Sequence, residues 1–278
     1  MKKKTITFVV GLLMFVSLIS VGFASWIIST STEKEAEGSF TVEEVVDARL
    51  GIEYKWVTPV YGDTSDPNKI TGYTEDDSAK NIYFGAPKEA GSDNWLTNTN
   101  YEKENLDVYL KITFSNLKGN GYTLDGAISL DYKAKNTVED NEETVEDETE
   151  NPFNDAVSKN YVKFADTNVE AIYLVSNTVT PDGGGEPVTT YYLSSASSYA
   201  ADKVLATVDE NNSATVYIKI SFAWGTAFEG KNPYTYYNGL TASNKNVDKA
   251  IEVLEELYTL NNQRFIITIS GKTTASSN

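Results

Sequence analysis

The stretch VYLKITF, Val108–Phe114, is written again 108 residues later as VYIKISF, Val216–Phe222. The two differ only by Leu/Ile and Thr/Ser. In each, Val, an aliphatic residue, Ile and Phe fall on one face of a strand, and Tyr, Lys and Thr or Ser fall on the other. Period-two alternation is the mark of a strand with one buried face. Burying one such face stabilises by about 6–12 kcal/mol before entropy, at about 1.5–3 kcal/mol per side chain. The repeat admits two readings: two strands facing one core, in the same sheet or in opposite sheets, or equivalent strands of two duplicated domains. The flanks SNLKGNGYTLDG and AWGTAFEGKNPY share nothing that would mark a duplication.

Outward from the twins, most segments alternate in the same way. Strands are expected at Phe40–Asp47, Leu50–Val57, Ala127–Ala134, Tyr161–Phe164, Ile172–Thr178, Val188–Leu193, Val204–Val208 and Arg264–Gly271, with a short one at Ile82–Phe84. TPDGGGEP, Thr180–Pro187, reads as a hairpin turn. The strands at 106–115 and 127–134 suggest a hairpin or meander. Asn244–Leu260 alone has helical spacing, with Val247, Ala250, Ile251, Leu254 and Leu257 on one side and Asn246 able to cap it. The expected fold is an all-β, two-sheet antiparallel β-sandwich, jelly-roll-like, with one helix before the last strand. It spans residues 40–278, and two Ig-like domains are the alternative.

Composition excludes several functions. The 278 residues contain no Cys and no His. That removes disulfides, thiol nucleophiles, Ser-His-Asp triads and HExxH zinc sites. Net charge is −17, the wrong sign for neutralising nucleic-acid phosphates. With forty acids, some carboxylate pair always satisfies the spacing of a glycosidase, so that pattern carries no information. No enzyme is expected.

Residues 1–24 have the form of a signal peptide: MKKK, an apolar run from Ile6 to Val21, then Gly22 and Ala24 before a cut. Apolar character extends through Ile28, so an anchor over residues 6–28 is the alternative, and membrane contact is expected only through this segment. Export without cysteines points to a bacterial secreted or cell-surface protein. Residues 25–39 read as a polar linker headed by Trp26, Ile27 and Ile28, which form a candidate assembly strand. An apolar free end beside a sheet edge can extend the sheet of a second copy.

Leu18–Ile52, LISVGFASWIISTSTEKEAEGSFTVEEVVDARLGI, resembles the start of the camelysin/TasA group of exported Gram-positive proteins. The matching positions are Gly22, Ala24, Trp26, Phe40-Thr41 and Val45-Val46-Asp47. Ile27-Ile28 stands where that group has an Asp-containing stretch. The resemblance implies a jelly roll that assembles into extracellular matrix fibres, as in a biofilm. Some members are described as metalloproteases, a role this chain has no histidine to support.

Two further features are candidate sites. WGTAFEGKNPYTYYNG reads as an aromatic loop carrying Trp224, Phe228, Tyr234, Tyr236 and Tyr237. Exposed, such rings would stack on an envelope glycan or another surface ligand; buried, they would close the end of the sandwich. The run Glu139–Glu150 has eight acids in twelve residues and reads as a solvated insertion. Ca²⁺ is the only ion the acids suggest, with better turn chemistry at Asp63, Asp66, Asp76 and Asp77. No other cofactor is implied.

Overall fold

The computed structural model describes residues 40–46, 49–62, 66–85, 106–119, 121–135, 151–165, 167 and 169–275. They form a two-sheet, sandwich-like all-β fold. One sheet has five strands in the order β3 (Ile70–Glu75), β2 (Gly51–Tyr61), β4 (Asp107–Ser115), β11 (Ala214–Trp224) and β7 (Val162–Ala165). The other runs β1 (Phe40–Val46), β12 (Arg264–Ala275), β6 (Tyr122–Lys135), β8 (Ala171–Val179), β9 (Val188–Ser194) and β10 (Val204–Thr207), with the two-residue β5 (Lys118–Gly119) beside β6.

The twin strands are β4 and β11, and they are direct antiparallel neighbours in one sheet. Leu110 lies opposite Ile218, its own counterpart in the repeat. Read antiparallel about that pair, the repeated text becomes self-complementary. Tyr109 faces Lys219, Lys111 faces Tyr217, and Thr113 faces Thr215 with their hydroxyls 2.9 Å apart. On the inner face Val108, Leu110, Ile112, Phe114, Val216, Ile218, Ile220 and Phe222 are all buried. One continuous core joins these to Phe265, Ile267 and Ile269 of β12 and to Ile128 and Leu130 of β6.

Phe222 is the point where the two sheets grip each other. Its ring lies 4.9 Å from Phe265, 4.7 Å from Phe164 and 5.3 Å from Phe153, and it contacts Phe84 at 5.5 Å and Phe40 at 6.1 Å. Tilted and edge-on arrangements dominate, as aromatic quadrupoles prefer.

Several expectations are corrected. The sandwich is not wholly antiparallel: β1 runs parallel to β12, in register Phe40↔Phe265 to Val46↔Gly271. Parallel neighbours need a long crossover, and here nearly the whole chain supplies it. The segments at 106–115 and 127–134 do not pair as a hairpin, because β4 and β6 belong to different sheets. Between them the chain turns at Asn116, in the left-handed region with φ 56°, and buries Leu117. The strand β3 lies in a segment that reads as loop, since Gly72 and the polar residues around it hide the alternation. Ile82 and Phe84 are fully buried, although their segment makes only isolated bridges. It is held instead by Asn261, whose Oδ1 accepts from the Phe84 N–H and whose Nδ2 donates to the Gly85 carbonyl, both at 2.6 Å.

There are three α-helices among the described residues: α1 (Pro152–Ser158), α2 (Pro233–Gly239) and α3 (Val247–Thr259). The helix expected at 244–260 is α3, with Asn246 accepting from the Lys249 N–H at 3.0 Å. Val253 is buried there, whereas Val247 is 39% exposed. The two short helices both open on Asn-Pro. Asn151 accepts from the Phe153 and Asn154 N–H groups, and Asn232 from those of Tyr234 and Thr235. An Asn cap followed by Pro at the first helical position is a start signal, concealed here by the acidic run before Asn151 and by the Gly residues around Asn232. Lys159, at the end of α1, bridges Asp155 and Glu256 and so ties α1 to α3. Those two carboxylates hold its ammonium pKa above the ordinary lysine value.

Because Phe222 touches β1, β7, β12, α1 and the Phe84 segment, Phe222→Ala is expected to destabilise the protein by about 3–5 kcal/mol. Urea unfolding of the two proteins side by side checks this.

Candidate functional site

The aromatic stretch after β11 is folded against the end of the sandwich. Gly225 begins it, and a Cβ there would sit 1.9 Å from the Asn160 carbonyl oxygen, so only glycine allows this approach. The Gly225 N–H donates to the Tyr161 carbonyl at 2.8 Å, and the Ala227 N–H donates to that of Asn160 at 3.1 Å. A 3₁₀ turn over Thr226–Phe228 then places Phe228 inside. Its ring lies 6.3 Å from Trp224, 5.3 Å from Tyr161, 5.9 Å from Tyr236 and 6.0 Å from Tyr237. Tyr234 packs with Ala250 and Leu254 of α3.

Of the five candidate aromatics, Trp224, Phe228 and Tyr234 are buried and present no ring face to solvent. Tyr236 and Tyr237 are half-buried, with rings 5.3 Å apart in an edge-on pair. Desolvation pushes the Tyr237 phenol up to about 12, with further contributions from Tyr161, Tyr236 and Glu252. Trp26, Ile27, Ile28 and the run Glu139–Glu150 lie outside the described residues, as does Asp63.

The remaining acidic candidates do turn work. The Asp76 carboxylate accepts from the Ser78 hydroxyl at 2.6 Å and from its N–H at 2.9 Å, capping a 3₁₀ turn. These two bonds hold its pKa below the ordinary carboxylate value. Asp66 accepts from the Asn68 N–H at 3.0 Å. Among the described residues no group of three or more Asp, Glu, Cys or His is placed to hold a metal ion. No helix among them is long and apolar enough to cross a membrane.

A tyrosine cluster that the sequence does not announce lies on the outer face of the five-stranded sheet. Tyr73 of β3 stacks on Tyr217 of β11, with ring centroids 4.1 Å apart and planes within 8°. The strands β2 and β4 lie between them. In a flat sheet, residues three strands apart stand about 14 Å apart. The sheet therefore curls toward its outer face, helped by the register shift at Val60/Tyr61 in the β2–β3 pair. Beneath the rings, Val57 and Tyr109 are buried at 1% and 7% exposure. Tyr109 shares a side-chain hydrogen bond with Tyr61, and burial together with that bond raises its phenol pKa well above the ordinary value. Lys111 pairs with Glu75 at 2.9 Å and Lys219 with Asp107 at 2.8 Å. The visible signal in the sequence is the Tyr-x-Lys of each twin. What brings Tyr73 and Tyr61 to it is the curl.

Two tyrosines give the fold an alkaline limit. Burial pushes Tyr132 as well as Tyr237 up to about 12. The fold holds both in the neutral form, so their contribution is complete below pH about 10, the unfolded value, and disappears as pH rises through about 12. The urea midpoint is expected to fall across that window while phenolate absorbance shows a late-titrating fraction. A midpoint that is flat from pH 10 to 12 contradicts this.

A scan against protein-family models, a search of curated proteins and a search of solved structures each find no match.

Proposed function

We propose that this chain is a non-enzymatic, exported structural protein of a Gram-positive-type cell surface or extracellular matrix, which assembles through the segment ahead of β1. The observation that supports this reading is the position of β1. It is the edge strand of the seven-stranded sheet, and β12 is its only neighbour among the described residues. A strand presented at an edge carries a row of main-chain donors and acceptors that a second chain can pair with. The segment holding Trp26, Ile27 and Ile28 leads into this strand, and Phe40 and Val42 fix β1 to the core at 2% and 3% exposure. We further read the sandwich as jelly-roll-like, on the support of a chain that passes repeatedly between the two sheets.

The exported protein is expected to form concentration-dependent polymers that vanish when residues 25–37 are deleted. N-terminal sequencing with a size distribution checks cleavage and assembly together. Polymers that survive the deletion, or a parent protein that stays monomeric at all concentrations, exclude the reading.

A second reading, binding of an envelope glycan at the end of the sandwich, draws support from Tyr236 and Tyr237, which keep part of their rings in solvent. It predicts glycan-array signals that disappear in a Tyr236→Ala/Tyr237→Ala variant.

A further inference from the structure

The outer faces of the twin strands hold more than a scaffold needs. We propose that the curled outer face of the five-stranded sheet is a binding site for a neutral, hydroxyl-rich glycan, seated against Tyr217 and Tyr61 and hydrogen-bonded by the ion pairs beside them.

The rings carry the first part of the inference. Tyr217 stays 37% exposed although Tyr73 covers one of its faces, and Tyr61 is 50% exposed at the rim. Covering Val57 and Tyr109 explains why rings lie on this face. It does not explain why two of them keep so much surface in water. Tyr73 packs against both Tyr217 and Tyr109, the latter at 6.0 Å, so the platform is ordered before any ligand arrives. A preordered platform loses little rotamer freedom on binding. Tyrosine suits a sugar because its ring packs on C–H faces while its hydroxyl remains available to hydroxyl groups.

The charges decide the class of ligand. Around the rings, Lys55, Lys111 and Lys219 share this face with Glu53, Glu75 and Asp107, three charges of each sign on a chain of net charge −17, and Lys163 of β7, opposite Ala223, adds one positive charge farther along the same face. Lys55 and Lys111 lie directly opposite each other, an arrangement that costs energy unless a countercharge sits nearby. Glu75 supplies it: Lys111 bonds it directly, and both lysines hold its carboxyl below the ordinary range. Around Tyr217 and Tyr61 the face thus presents matched donors and acceptors in equal number. A polyanion gains nothing from it and is repelled by the rest of the molecule. A ligand of alternating hydroxyls meets both donor and acceptor at each ion pair.

The site lies on the five-stranded sheet, whereas β1 belongs to the other, so it does not depend on the assembly reading. Affinity electrophoresis of the full chain tests it, in gels cast separately with xylan, a soluble β-glucan, mannan and polygalacturonate. Retardation is expected with at least one neutral polymer and is stronger there than with polygalacturonate. In Tyr217→Ala or Tyr61→Ala the apparent affinity is expected to fall about fivefold or more, with the circular dichroism spectrum unchanged. No retardation by any neutral polymer overturns the proposal, as does polygalacturonate binding at least as strongly. So does undiminished retardation in both Tyr217→Ala and Tyr61→Ala, or a loss confined to the Tyr236→Ala/Tyr237→Ala variant, which places the ligand at the sandwich end.

Discussion

The contact between Phe222 and Phe265, 4.9 Å between ring centroids, is where the two sheets become one body. Phe222 closes the second twin strand and Phe265 opens the last strand of the chain. Around them gather Phe40 from the first described strand, Phe84 from an irregular segment, Phe153 from α1 and Phe164 from β7. The two sheets, which share no backbone ladder, are joined here by side-chain packing. With no cysteine to staple the chain, apolar and aromatic burial has to carry this cohesion.

The twin strands show how one short text can serve two purposes. Inward, Val, Leu or Ile, Ile and Phe fill the core. Outward, antiparallel pairing about Leu110 and Ile218 sets each Tyr against a Lys of the other strand. Neither strand could do this alone, and a one-residue slip would carry Tyr and Lys into the core. The curl then carries Tyr73 across two intervening strands onto Tyr217, so a surface of separate cross-strand pairs becomes a connected cluster. Inner packing and outer surface are thus coupled, since the register that buries Ile218 is the register that positions Tyr217.

The end of the sandwich illustrates the opposite case. Its aromatics are frequent enough in sequence to suggest a ligand, yet most of them are consumed in closing the core. Gly225 makes this possible by lying against the Asn160 backbone, and Asn232 starts the helix that carries Tyr234 inward. Asn261 does similar service elsewhere, standing in for a missing strand with its side-chain amide. Such roles belong to single polar or glycine residues, which have no periodic pattern to betray them.

What the sequence determined by itself was the two-fold alternation: strands β4, β8, β9, β11 and β12, the β8–β9 hairpin and the helix α3 were legible because burial on one face imposes a period that survives in the text. The absence of Cys and His was equally plain and removed whole classes of chemistry. That the twins are neighbours, that β1 lies parallel to β12, and which of the described tyrosines meet water emerge only in the folded chain. Sheet order, curl and ring exposure depend on contacts between residues far apart in the chain. A tyrosine facing solvent and a tyrosine under another ring are written with the same letter.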